Sequence, residues 1–153
     1  MHPAIEIISV WEDETLFEVS IRANNRKFCG EARCYTTRGE IKSLCNRIGG
    51  FPKSAADEVH FSTQYGNSSS YFNLSFVCTD SSAHVVARVK IAEIVAYSNT
   101  RPVNDLAEFE IAVEPAAIDT FSRELENLSS ANIGVVTAKL NGKTSVVSGN
   151  LAE

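Results

Sequence analysis

The sequence predicts an α+β domain in which two amphipathic helices pack on one face of an antiparallel β-sheet. Period-two alternation of apolar and polar residues recurs in short segments that turn residues join, and such short connections require antiparallel pairing. Two other segments carry apolar residues at helical spacing, and each needs a sheet face to bury its stripe. We expect about seven to nine strands in the order β-β-β-α-β-β-β-β-α-β. A two-sheet sandwich with added helices is the alternative.

Length and composition are those of one globular domain that spans residues 1–153. The chain has 153 residues, 44% hydrophobic and 22% charged, which suits a single core. The first ten residues, MHPAIEIISV, do not resemble a signal peptide, and no apolar run approaches the roughly 18 residues of a membrane span. Four cysteines without a secretory signal favour free thiols. We therefore expect a cytoplasmic protein with no membrane association.

The N-terminal third reads as three strands and a hairpin turn. AIEIISVW is strand-like, and both TLFEVSIRA and KFCGEARCY alternate. Asn tolerates the positive φ of a tight hairpin turn, so we place that turn at Asn24-Asn25. The expected register pairs Ile21 with Phe28, Val19 with Gly30 and Phe17 with Ala32.

The first helix has start and stop signals. Thr37 and Glu40 have the spacing of a capping box, and Gly49-Gly50 ends the helix before Pro52. Between them the apolar residues recur at i, i+3, i+4 and i+7, as one buried stripe: Ile41, Leu44, Cys45 and Ile48.

Three alternating segments follow, DEVHFST, SYFNLSFVCT and AHVVARVKIAEI. A turn near Asp80 to Ala83 joins the last two. One register matches every apolar position on the two strands: Cys78 with Val85, Phe76 with Ala87, Leu74 with Val89 and Phe72 with Ile91.

A further strand, LAEFEIAV, precedes a second helix that begins at Pro115. Asn141-Gly142 lies between β-rich runs, which is a hairpin signal. Residues 141–153 are expected to form a C-terminal hairpin strand or a loose tail. The stripe of the second helix comprises Ile118, Phe121, Leu125 and Leu128.

Three cysteines lie within FCGEARCYTTRGEIKSLC, yet they do not form a metal or redox motif. Cys29 and Cys34 are five positions apart on a strand, so they point to opposite faces. Cys34, Cys45 and Cys78 fall on apolar faces, where a free cysteine acts as a small hydrophobe. Cys29 shares a polar face and is the thiol most exposed to reagents. Without C-x-x-C or histidines at ligand spacing, we expect no metal and no cofactor.

No catalytic residue is predicted. Cys78 and His84 resemble a nucleophile and base, but the hairpin register turns them to opposite faces. His60 fits a solvated strand position better than a general base. Nucleophile-elbow, phosphate-loop and dinucleotide motifs are missing from the sequence.

Charge divides the chain into a basic and an acidic segment. Arg22 to Lys53 holds eight basic residues against two acids, and Asp105 to Glu126 holds seven acids against one base. Such fields steer partners, unless the two segments neutralise each other in the fold. The acidic segment would suit a basic protein partner. The contacts expected there are Glu108, Glu110, Asp119 and Glu124.

A basic sheet face is the alternative site, for a small ligand or a nucleic acid. Arg22, Arg33 and Tyr35 could share an outer face, with the tyrosine as a stacking group. The sequence pI of about 5.2 weighs against nucleic acid.

Four segments resemble small bacterial proteins of the immunity type that accompany polymorphic toxins. The segments are FEVSIRANNRKFCGEARCYTTRGEIKSL, GFPKS, FVCTDSSAHVVARVKI and FEIAVEPAAIDTFSRELENL. The resemblance covers roughly Ile5 to Leu128 and contains no catalytic signature. It implies a non-enzymatic factor that acts by binding another protein, and it assigns no site residues.

Overall fold

The computed structural model describes residues 1–63, 70–82, 84–95 and 103–144. Over these ranges the chain forms eight strands and two helices in the predicted order. The elements are β1 (Ala4–Glu12), β2 (Phe17–Asn24), β3 (Cys29–Thr36), α1 (Arg38–Ile48), β4 (Glu58–Ser62), β5 (Tyr71–Cys78), β6 (Val85–Val95), β7 (Val103–Val113), α2 (Pro115–Ser130) and β8 (Thr137–Asn141).

The strands form two antiparallel four-stranded sheets. The first sheet has the order β3-β2-β1-β8 and the second has the order β4-β5-β6-β7. The α+β class, the antiparallel pairing and the strand count are therefore confirmed. The strands are divided between two sheets, as in the two-sheet alternative, instead of forming one continuous sheet. β3 packs across β5, β6 and β7, so the two sheets meet face to face at that side.

One buried core joins both sheets and both helices. The inward side chains of each sheet and the apolar stripes of α1 and α2 belong to the same cluster. α1 packs against α2, and α2 lies along β8. The two helices thus bury the part of the sheets' apolar faces that the sheets do not bury against each other.

Both helices form as their stripes predict. Thr37 is the N-cap of α1, and its hydroxyl accepts a 3.0 Å hydrogen bond from the Glu40 backbone N–H. Gly49 is the C-cap, and α2 begins at Pro115. Every predicted stripe residue is buried: Ile41, Leu44, Cys45, Ile48, Ile118, Phe121, Leu125 and Leu128.

The predicted β5–β6 register is confirmed at all four pairs, from Cys78–Val85 to Phe72–Ile91. The predicted β2–β3 register is wrong by four residues, because Ile21 pairs with Ala32 and Ala23 with Gly30. An even shift keeps each apolar residue on the same face.

The shift of four residues in the β2–β3 register arises from a turn that is longer than expected. Asn25 Oδ1 accepts hydrogen bonds from the backbone N–H groups of Lys27 and Phe28, at 3.0 and 2.8 Å. Arg26 takes the positive φ, at 81°. These bonds stabilise a four-residue loop instead of a two-residue turn, and Phe28 is left 61% exposed.

The C-terminal strand β8 pairs with β1. After it, Gly142 N–H donates to Pro3 O at 2.8 Å and Lys143 N–H donates to Ala112 O at 2.7 Å. The first residues after β8 therefore contact Pro3 and β7. Residues 145–153 of the predicted C-terminal hairpin or tail lie outside the described residues.

None of the helices in the described ranges combines the length and the apolar character that crossing a membrane requires.

Gly30 controls how closely β3 lies on the second sheet. A Cβ at this position would stand 2.2 Å from Ile91 Cγ2, and Ile91 is 2% exposed. We expect Gly30→Ala to lower the free energy of unfolding by about 1–3 kcal/mol, although alanine is normally the better strand residue. Urea unfolding measures this change.

A double-mutant cycle tests the cause. Ile91→Ala alone should cost about 2–5 kcal/mol because it leaves a cavity. If the contact is responsible, Gly30→Ala should cost less in that background than in the native one. Additive losses would contradict the assignment.

Candidate functional site

The outer face of the first sheet carries a row of alternating charges. The row crosses β3, β2, β1 and β8 at positions that pair with one another, which hold Glu31, Arg22, Glu6 and Lys139 in that order. Arg22 Nε is 3.6 Å from Glu31 Oε2, and Lys139 Nζ is 3.8 Å from Glu6 Oε1. Their side chains are 43–69% exposed. The row is a solvent-facing band with both signs in register.

A β-bulge places an aromatic pair farther along the same face. The pairing of β1 with β2 shifts between Ser9 and Trp11, so Trp11 lies opposite Glu18 on the outer face. Trp11 is 44% exposed and contacts Tyr35 edge to face, with ring centroids 6.4 Å apart.

The loop before β8 adds aliphatic side chains beside the bulge. Gly134 N–H donates to the buried Ser9 hydroxyl at 3.1 Å, which brings the loop against β1. Ile133 and Val135 on either side are 38% and 69% exposed. We call Trp11 and Tyr35, which share the outer face, the aromatic patch.

Arg38 fixes the chain segments beneath the aromatic patch. Its Nε lies 2.6 Å from Glu12 Oε2, and its Nη1 donates to Ser129 O and Ala131 O at 3.2 and 2.8 Å. The guanidinium lies 4.6 Å from the Phe17 ring centroid. The hydrogen bond from Arg38 also lowers the pKa of the Glu12 carboxyl. One side chain thus links the end of β1, the start of α1 and the end of α2.

Sequence reasoning identified Tyr35 but missed Trp11 and the aliphatic side chains beside the bulge. Trp11 looked like the end of a strand, and only the bulge assigns it to this face. Ile133 and Val135 belong to a loop whose position depends on a contact with Ser9, 125 residues away from Gly134 along the chain.

The structure brings together the predicted basic residues, but the face that holds them is neutral. Arg22, Arg33 and Tyr35 all lie on the outer face of the first sheet, as expected. Acidic side chains on the same face match the cations. Its acids are Glu6, Glu18 and Glu31, and its bases are Arg22, Arg33 and Lys139.

The predicted acidic contacts lie on two separate elements. Glu108 and Glu110 are neighbours on the outer face of the second sheet, opposite Lys90 and Arg88. Arg88 Nε donates to Glu110 Oε2 at 2.9 Å. This arrangement leaves the pair exposed but locally balanced by cations.

Asp119 and Glu124 lie on α2, where each accepts a backbone hydrogen bond. Asp119 Oδ1 accepts from Gly50 N–H at 3.1 Å, and Glu124 Oε1 accepts from Lys139 N–H at 2.9 Å. These two carboxylates stabilise the fold around α2. That they also contact a partner stays a prediction.

One ion pair joins the basic and acidic segments directly. Lys42 Nζ on α1 lies 2.6 Å from Glu126 Oε1 on α2. The contact raises the pKa of Lys42 and lowers the pKa of Glu126. Some charges of the basic and acidic segments therefore neutralise each other within the fold.

A groove of about 650 Å³ lies at the end of the first sheet, and all four residues of the charge row line it. Its walls come from β3 on one side and from β6 and β7 on the other. Cations lining it are Arg22 and Lys139, whereas the carboxylates are Glu6, Glu31, Glu93 and Asp105. Acidic groups are in excess, so the groove suits a neutral or cationic small molecule better than an anion.

The second sheet carries a Glu-His-Ser array that the sequence did not reveal. His60 Nδ1 lies 2.7 Å from Ser75 Oγ, and His60 Nε2 lies 3.4 Å from Glu58 Oε2. The histidine and glutamate side chains are 66% and 59% exposed. Water screens charges at that exposure, so the array fits cross-strand pairing better than activation of a nucleophile.

His84 faces outward, as predicted. Its Nδ1 lies 2.7 Å from Asp80 Oδ2, in the turn between β5 and β6. The hydrogen bond from His84 lowers the pKa of Asp80. The pair stabilises the turn and gives no support to a Cys78–His84 dyad.

The four cysteines are free thiols in different surroundings. Cys29 is exposed, Cys34 and Cys45 are buried, and Cys78 is half-buried. Burial raises the pKa of the Cys34 thiol to about 11. In the ranges that the structure describes, no three His, Cys, Asp or Glu side chains are grouped to hold a metal ion.

Comparisons of the chain with protein-family models, with curated proteins and with solved structures found no match.

The thiol environments predict distinct reactivities. We expect one fast equivalent with an aromatic disulfide reagent at neutral pH, from Cys29, a slower reaction at Cys78, and protection of the other two. All four should react in urea. Cys29→Ser should remove the fast phase only, and a fast phase that survives this substitution would contradict the assignment.

Proposed function

We propose that this chain is a non-enzymatic protein-binding domain of the bacterial cytoplasm, a factor of the immunity or antitoxin kind. The aromatic patch is the observation that carries the proposal. Tryptophan and tyrosine are the residues most enriched where binding energy concentrates. Exposed apolar groups with a charged border are typical of a protein-binding surface.

The patch is held in place before any partner arrives. The β1 bulge places Trp11 on the outer face, where its ring contacts Tyr35. Arg38 links the chain segments below the patch through Glu12, Ser129 and Ala131. Preorganised side chains lose little conformational entropy on binding, so more of the contact energy is retained as affinity.

Glu108 and Glu110 remain the proposed acidic contacts for a basic partner. Both are exposed, whereas Asp119 and Glu124 are half-buried and hold backbone groups. Carboxylates at an interface rim act mainly on the rate of association. Their contribution should therefore depend strongly on salt.

The aromatic patch can be tested by affinity capture from the native cell lysate. Tagged wild-type protein should recover one stoichiometric protein partner, and Trp11→Ala should weaken that complex about 30-fold, as loss of an interface hot spot does. Trp11 is the only tryptophan, so its fluorescence reports binding directly during titration with the recovered partner.

Phe28→Ala is the matched control, because Phe28 is another exposed aromatic residue, at 61%, but belongs to the β2–β3 loop. It should leave the affinity unchanged. Glu108→Lys should slow association and weaken its salt dependence. Equal recovery by wild-type protein and Trp11→Ala would remove the patch from the proposal.

The groove supports a second candidate function, the binding of a small ligand. Its volume of about 650 Å³ lies within the range of ligand sites, and Arg22 lines it. The basic residues predicted for a nucleic acid lie on this side too, but the face is neutral and the groove is acidic.

A polyanion column tests the nucleic-acid form of this alternative. We expect no retention on heparin at low salt, because phosphate binding needs a contiguous cationic face. Retention that weakens in Arg22→Ala and Arg33→Ala would revive the basic face as a binding site.

A further inference from the structure

We propose that two copies of this chain pair through the outer face of the first sheet when no other partner occupies it. The inference rests on the proposed function, since it assigns an occupant to the face that carries the aromatic patch. The charge row of that face supplies the argument.

The row is complementary to itself. Across β3, β2, β1 and β8 the signs run negative, positive, negative, positive: Glu31, Arg22, Glu6 and Lys139. A two-fold axis parallel to the strands, between β2 and β1, reverses this order in the second copy. Arg22 then faces Glu6 of the second copy, and Glu31 faces its Lys139. Every contact along the row joins opposite charges, as an isologous interface requires.

The balance of charge on the face favours a like partner. The chain carries a net charge of −5, and two copies would repel through most surfaces. Its outer-facing charges on the first sheet are three acids, Glu6, Glu18 and Glu31, and three bases, Arg22, Arg33 and Lys139. A neutral surface lacks that repulsion and promotes association.

The same axis brings apolar groups together. It carries Tyr35 on β3 toward the loop before β8 in the second copy, where Val135 is 69% exposed. It also carries Trp11 toward the stem of Glu18. The charge row therefore sets the alignment, while the aromatic patch supplies the apolar area.

The size of the face predicts a weak dimer. Four strands about 4.8 Å apart and eight residues of about 3.3 Å each give a footprint of about 500 Å². This is below the roughly 800 Å² per partner of a standard interface, so we expect a weak dimer with a dissociation constant in the micromolar range. Such a dimer gives way readily to a tighter partner.

Sedimentation of the purified full chain over a concentration series tests the proposal. The wild-type protein should dimerise with rising concentration, and salt should weaken the dimer. Arg22→Glu and Glu6→Arg should each raise the dissociation constant at least about tenfold, because each places like charges across the axis. An equimolar mixture of the two variants should dimerise again, since the glutamate introduced in one variant then faces the arginine introduced in the other.

Lys90→Glu, on the second sheet, is the control and should not change the dissociation constant. Melting temperatures establish whether each variant is folded. If a charge variant does not fold, Trp11→Ala replaces it as the variant expected to weaken the dimer. Three results would overturn the proposal: a wild-type monomer at all concentrations up to about 1 mM, single variants that dimerise as tightly as the wild-type protein, or a mixture that dimerises no more tightly than the single variants.

These outcomes are separate from those of the lysate experiment. A wild-type monomer whose captured partner is lost with Trp11→Ala would overturn the pairing of copies and leave the proposed function standing. A dimer restored in the mixture, with no partner captured from the lysate, would support the pairing of copies and overturn the proposed function.

Discussion

The close approach of β3 to β6 is the contact on which the arrangement of the two sheets depends. Only a residue without a side chain fits at Gly30, because Ile91 Cγ2 occupies the space that a Cβ would need. With β3 in that position, the first sheet turns its inner face to the shared core. Its opposite face, with the charge row and the aromatic patch, is consequently presented to solvent. The packing at one glycine thus sets how closely the two sheets approach, while strand alternation sets which residues face outward.

Part of the charge polarity of the sequence is neutralised by pairing within the fold. One cation of the basic segment pairs with the acidic segment through Lys42 and Glu126. Others lie in cross-strand register with acids, as Arg22 does with Glu31. Such exposed pairs contribute little to stability. Their importance lies in the pattern they leave on the surface, where neighbouring positions alternate in sign and no large field of one sign remains on the described part of the first sheet.

Local sequence signals predicted most of the elements because each element satisfies its own periodicity. The capping of α1 by Thr37 and the β5–β6 register both depend on residues close together in the chain. The β2–β3 register was wrong because side-chain hydrogen bonds to Asn25 stabilise a longer loop than two asparagines suggest. Periodicity gave the face of each residue correctly there, since a shift of four residues preserves parity.

The candidate site was only partly predictable for a related reason. Tyr35, Arg22 and Arg33 follow from alternation along one strand or its neighbour. Trp11 depends on a bulge in β1, and Ile133 and Val135 depend on a loop that Ser9 holds from the far end of the chain. Bulges and long-range loop contacts have no periodic signal, so the patch becomes visible only when the strands are assembled.

The β2–β3 loop and the segment after β8 also have a consequence for the outer edge of the second sheet. Asn25 Nδ2 donates to Glu110 O at 3.1 Å, and Lys143 N–H donates to Ala112 O at 2.7 Å. Both carbonyls belong to β7, the edge strand, and would otherwise be free to accept from a foreign strand. Two short segments of the same chain therefore occupy part of this edge and leave less of it open to pairing with a foreign strand.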